Sequence, residues 1–98
     1  MTIEKILNGE TATFVVVGRL DTQTAPELEK ELDGVISGLK ELTFNMAKLE
    51  YVSSAGLRVI LKAQKIMNTQ GSMKLTGVSD SIMEVFDITG FLDILTIE

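Results

Sequence analysis

Residues 42–64 read LTFNMAKLEYVSSAGLRVILKAQ, and within them the chain changes its period. Leu42, Phe44 and Met46 alternate along one side of a strand, a repeat of two. After the turn, Leu57, Val59, Ile60, Leu61, Ala63, Ile66 and Met67 fall on one broad helical stripe, wide enough to imply heavy burial. The spacing predicts a strand over 42–46 and a helix from about Gly56 to Asn68, closed by Gln70-Gly71. A strand that hands over to a helix is the unit from which α/β sheets are built.

The flanking segments repeat the unit. Thr11 to Val17 is β-branched and aromatic and reads as a buried strand ending at Gly18. Residues 2–7 form a shorter strand before it, and Asn8-Gly9 between them is a tight-turn dipeptide, so this pair is antiparallel. Thr24-Ala25-Pro26-Glu27 has the pattern of a capping box with proline in the first turn. Leu28, Leu32, Val35, Ile36 and Leu39 follow at helical spacing, with Gly38 or Lys40 as the stop. Residues 72–76 alternate as a fourth strand, residues 80–88 form a third helix with Ile82, Val85 and Phe86 inward, and Gly90 is its left-handed stop. Residues 92–97 read as one more short strand. The result is an α/β fold: a mixed four- to five-stranded sheet, antiparallel in its first hairpin and mostly parallel after it, with about three helices and right-handed crossovers.

Composition narrows the function. Ninety-eight residues, 45% apolar and 23% charged with one proline, make one globular domain over 1–98. No apolar run approaches a membrane span, no signal peptide is evident, and cysteine is absent, which points to the cytoplasm. Histidine is absent too, which removes Ser-His nucleophilic catalysis, histidine phosphotransfer and the commonest zinc ligand. No metal, cofactor or enzymatic activity is expected. The net charge of −5 offers no basic footprint for nucleic acid.

The serine turn then has two readings. Ser53 and Ser54 stand at the mouth of the second helix, where the first amides lack partners and the helix dipole is positive. A hydroxyl there caps the helix. The same place also holds a phosphate, bound or attached to a side chain. Val52 occupies the position where a nucleophile elbow needs glycine, and no phosphate-loop motif occurs. Asp21, in the loop that leaves the second strand, either approaches the serine turn along the same sheet edge or serves as an Asx-turn acceptor. Arg58 reads as a phosphate partner, a contact for a partner acid, or a solvated cation. Val52 and Leu57, if exposed around the turn, suit docking.

Three stretches, GRLDTQTAPEL (18–28), NMAKLEYVSSAGLRVIL (45–61) and VFDITGF (85–91), together resemble the STAS-domain anti-sigma-factor antagonists. The resemblance implies a phosphorylation-controlled switch. In that family a serine two residues before the turn glycine is phosphorylated by an anti-sigma factor that is also a serine kinase. The unphosphorylated form binds that kinase and frees the sigma factor, and a serine phosphatase restores it. The matching acceptor is Ser54, with Ser53 the second candidate, and Asp21 matches the family aspartate near it. Thr22, Ser53, Ala55, Gly56, Leu57 and Arg58 complete the expected phosphosite environment and partner surface. The family's better-known turn carries an acid where this chain has Ser53, and glycine often stands where it has Arg58. A STAS subunit of a transport or lipid-trafficking complex, and a small-anion or nucleotide-binding domain, are the alternative functions.

Overall fold

Thr2–Asn8 (β1) and Thr11–Leu20 (β2) pair antiparallel in the computed structural model, which describes residues 1–98. Asn8 is still in register with Thr11, so the turn itself is Gly9-Glu10, and Gly9 supplies the positive φ of 62°. Glu41–Val52 (β3) and Ser72–Thr76 (β4) add in parallel, giving the sheet order β1-β2-β3-β4. The connections between the parallel strands are Ala25–Asp33 (α1) and Ser54–Gln70 (α2), and Asp80–Thr89 (α3) follows β4. The mixed sheet and the three helices agree with the sequence expectation.

The core lies on one face of the sheet. Phe14 and Phe44 are register partners with ring centroids 5.8 Å apart, and Leu75 continues the row on β4. Ala12, Val16, Leu42, Met46 and Met73 fill the same face, and Leu28, Leu32, Ile60, Ala63 and Met67 come down from α1 and α2. Between these two helices Lys62 reaches Glu29 at 3.2 Å and Asp33 at 3.5 Å. Tyr51 is exposed, whereas Met46 is fully buried.

Four expectations are corrected. Helix α1 ends at Asp33 rather than near Gly38 or Lys40, because the chain turns at Gly34. Ile36 and Leu39 stay buried from a turn, where Gln70 Nε2 donates to both their carbonyls at 2.7 and 2.9 Å. The capping box is not formed: Thr24 makes no side-chain cap bond, and its Oγ1 instead accepts from the Asp21 amide and donates to the Arg19 carbonyl, both at 2.8 Å. The terminal strand reduces to a short 3₁₀ turn at Phe91–Asp93 and a single parallel bridge between Leu75 and Ile97, so the sheet has four strands. Finally, β3 runs on to Val52, well past Met46.

That extension is irregular. Register shifts between Val15 and Val17, and again between Gly18 and Arg19, give β3 two more residues than β2 over the same span. Bulges of this kind re-aim side chains. Here they return Leu49 and Val52 to the core and set Tyr51 beside Arg19.

Gly71 and Gly34 separate two roles of glycine. A Cβ at Gly71 would lie 2.0 Å from the Lys40 carbonyl oxygen, whereas one at Gly34 would meet nothing nearer than 3.6 Å. Gly71→Ala is expected to cost about 1–3 kcal/mol in urea unfolding, as overpacking against backbone does. Gly34→Ala is expected to be neutral or to stabilise by about 0.4–1 kcal/mol. Equal effects would contradict this packing.

Candidate functional site

The end of β2 and the end of β3 are joined where β3 becomes α2. Leu20 and Val52 are register partners, and the Ser53 amide donates to the Leu20 carbonyl at 2.8 Å. The chain then enters α2 under close contact. Gly56 is buried, and a Cβ there would lie 2.6 Å from Leu20 Cγ and 3.0 Å from the Leu20 carbonyl oxygen. Only glycine lets the first turn of α2 settle on β2 at this distance.

The two serines have different surroundings. Ser53 is the N-cap in extended conformation, half-buried, and its Oγ accepts from the Gly56 amide at 3.4 Å. Ser54 is the first residue of α2 and is exposed. Its hydroxyl makes no hydrogen bond within the chain, while the amides of this first turn lack intrahelical acceptors. A charged oxygen on Ser54 would sit at the positive end of the helix dipole, worth about 0.3–1 kcal/mol per charge.

Asp21 lies in the loop that leaves β2, directly after Leu20. Its Oδ1 accepts from the Gln23 amide at 3.0 Å and the Thr24 amide at 3.1 Å, with the Thr24 hydroxyl oxygen 3.2 Å away. This is an Asx turn, and the Asp21 amide donates in return to Thr24 Oγ1 at 2.8 Å. The Thr24 amide is the main cause that holds the Asp21 carboxyl below its ordinary value, with Gln23, the Thr24 hydroxyl and Arg19 adding to it against partial desolvation. Oδ2, free of the turn bonds, has Arg19 Nε at 3.8 Å. The two readings of Asp21 therefore coexist: it builds the loop, and the Ser53–Leu20 bond brings that loop to the serine turn.

Thr22, Ala55 and Arg58 meet as well. With Ala25, Pro26, Glu29, Val59 and Lys62 they line an open cleft of about 310 Å³ between the starts of α1 and α2. Arg58 is exposed one turn after Ser54 and forms no ion pair. Val52 and Leu57 do not join this surface. They are 4% and 5% exposed and belong to the core, because each follows the inward face of its own element. The apolar group that is exposed beside the turn is Tyr51, with the Arg19 guanidinium 4.2 Å from its ring centroid. Sequence reasoning passed over Arg19 because strand periodicity does not reveal the bulge that aligns it with Tyr51.

The STAS-domain family model matches residues 2–98. The anti-sigma-B factor antagonist of Staphylococcus epidermidis is 33% identical over 97 residues, covering 97% of this chain and 90% of that one. The chain belongs to the STAS-domain family of anti-sigma factor antagonists. That family makes it a regulatory protein rather than an enzyme. Among solved structures, an anti-sigma factor antagonist from Mycobacterium paratuberculosis superposes with a TM-score of 0.88 at 18% identity, over 98% of this chain and 83% of the other. The Bacillus cell fate determinant SpoIIAA in its phosphorylated form superposes with a TM-score of 0.77 at 17% identity, over 99% and 91%. At those identities the structures speak for the STAS fold alone. No helix is long and apolar enough to cross a membrane.

The division between the serines is measurable. Ser53→Ala is expected to lower stability by about 1 kcal/mol through loss of the cap. Ser54→Ala is expected to leave thermal unfolding within about 0.5 kcal/mol of wild type, as exposed substitutions do. A larger loss for Ser54→Ala than for Ser53→Ala would reverse the assignment.

Proposed function

We propose that this chain is a phosphorylation-controlled switch in which unphosphorylated Ser54 permits docking on a serine-kinase anti-sigma factor, releasing the sigma factor to act in transcription. The observation that carries the reading is the exposed, unbonded hydroxyl of Ser54 at the positive end of α2, in a chain from the antagonist family. Ser53 is engaged as a cap and is the poorer acceptor. Asp21, Thr22, Ala55 and Arg58 form the surface that a kinase would cover. Gly56 and Leu57 serve it from beneath, as packing.

The switch works by obstruction. Phosphorylation adds about 1.5 to 2 negative charges and three strong acceptor oxygens. On the free chain that group remains in water at a helix N-terminus and is tolerated. Beneath a docked partner it must lose its water, and an unpaired buried charge costs several kcal/mol. Each 1.4 kcal/mol is tenfold in affinity, so docking is lost with no rearrangement of the fold. Arg58, one helical turn on and unpaired, is placed for an i, i+4 pairing with the phosphate. A serine phosphatase restores the docking form, and the whole cycle runs in the cytoplasm without nucleic-acid or membrane binding by this chain.

Incubation with the anti-sigma-factor kinase of the same genome and ATP, followed by phosphosite mapping, tests the reading. Phosphate is expected on Ser54, and Ser54→Asp is expected to bind the kinase at least about a hundredfold more weakly than Ser54→Ala. Phosphate on neither serine, or wild-type affinity in Ser54→Asp, would refute it.

A further inference from the structure

Of the nine cations in this acidic chain, three lysines are engaged internally: Lys5 with Glu31, Lys62 with Glu29 and Asp33, and Lys74 with Glu98. Arg19 is held differently. Its guanidinium carbon lies 4.2 Å from the centroid of the Tyr51 ring, the chain's one cation–π contact. The two residues are register partners at the ends of β2 and β3. The Arg19 side chain is nevertheless 60% exposed. Only its Nε edge approaches Asp21, at 3.8 Å, beyond a hydrogen bond. Both terminal nitrogens therefore keep their donors for another group.

The backbone beneath is fixed. The Arg19 carbonyl accepts from the Thr24 hydroxyl at 2.8 Å, and Gly18 before it takes a φ of 99°. A planar cation laid on a ring, with its fork toward solvent, is already ordered for a planar anion. Arginine and tyrosine are also the residue types that most often dominate interfaces, and a preordered side chain loses less entropy on binding.

We propose that Arg19, held on the ring of Tyr51, is a specificity-determining residue through which this chain takes a carboxylate of its anti-sigma factor. This rests on the reading above, that the β3–α2 turn is the docking surface. Arg19 and Tyr51 directly precede Leu20 and Val52, the register pair at which the Ser53 amide bonds to the Leu20 carbonyl, so the two side chains adjoin the serine turn along both strands. Charge complementarity names the occupant. Aspartate or glutamate matches the guanidinium fork in bidentate geometry, and a partner with a basic group there is rejected. The same carboxylate makes the contact sensitive to the switch, since a phosphate on Ser54 turns the approach to Arg19 more negative.

Titration calorimetry of the unphosphorylated chain against the purified anti-sigma-factor kinase of the same genome, at two salt concentrations, tests the assignment. Arg19→Ala is expected to weaken binding about tenfold or more with an unchanged melting temperature. Its affinity is also expected to depend less on salt than that of wild type. Arg19→Lys is expected to keep the salt dependence but lose part of the affinity, because it keeps the charge without the fork. Tyr51→Leu removes the platform and is expected to fall between wild type and Arg19→Ala. If Arg19→Ala loses its fold, Arg19→Lys and Tyr51→Leu carry the comparison. Wild-type binding with unaltered affinity and salt dependence in these variants overturns the inference and leaves the proposed function standing. No binding by the wild-type chain overturns both.

Discussion

The contact between the start of α2 and the end of β2 is the constraint on which the rest depends. The Ser53 amide donates to the Leu20 carbonyl, and three residues later Gly56 lies against Leu20 where a Cβ would reach to 2.6 Å. Those two features fix where β3 stops and α2 begins. They also hold the Asp21 loop, the next residues after Leu20, against the serine turn. Leu57 and Ile60 then descend into the core, and Ser54 and Arg58 are turned outward on the same helix. An apolar packing contact thus sets the exposure of the Ser54 hydroxyl.

Capping and exposure divide over adjacent residues. A cap must face its own helix, and Ser53 does so at the cost of its availability. The next residue is the first in helical conformation, and its side chain is free to point to solvent. Aspartate and serine are both good N-caps, and serine at position 53 caps α2 without placing a charge beside Ser54.

Much of this was legible in the sequence, and the reasons for the rest are physical. The period change in residues 42–64, the turn glycine at position 9 and the left-handed stop at Gly90 each leave local signals, and the structure has all three. The end of α1 did not, because Val35, Ile36 and Leu39 keep helical spacing while lying in a turn whose carbonyls are satisfied by Gln70, far along the chain. The side chain of Thr24 was claimed by the Asp21 amide and the Arg19 carbonyl rather than by its own helix. Whether Val52 and Leu57 were exposed for docking was left open by the sequence, and the bulged register of β3 and the stripe of α2 bury them. The same bulge hid the pairing of Arg19 with Tyr51. Long-range pairing and irregular register lie outside what a local pattern can express.

The central claim is that phosphate on Ser54 changes what the surface accepts while the fold beneath stays as it is. Two-dimensional amide NMR of the chain before and after stoichiometric phosphorylation of Ser54 examines this directly. Shift changes are expected at the serine turn, the first turn of α2 and the 19–24 loop, with β1, β4 and α3 unmoved. Displacement of amides throughout β1, β4 and α3 would mean that the modification refolds the domain, and would contradict the account.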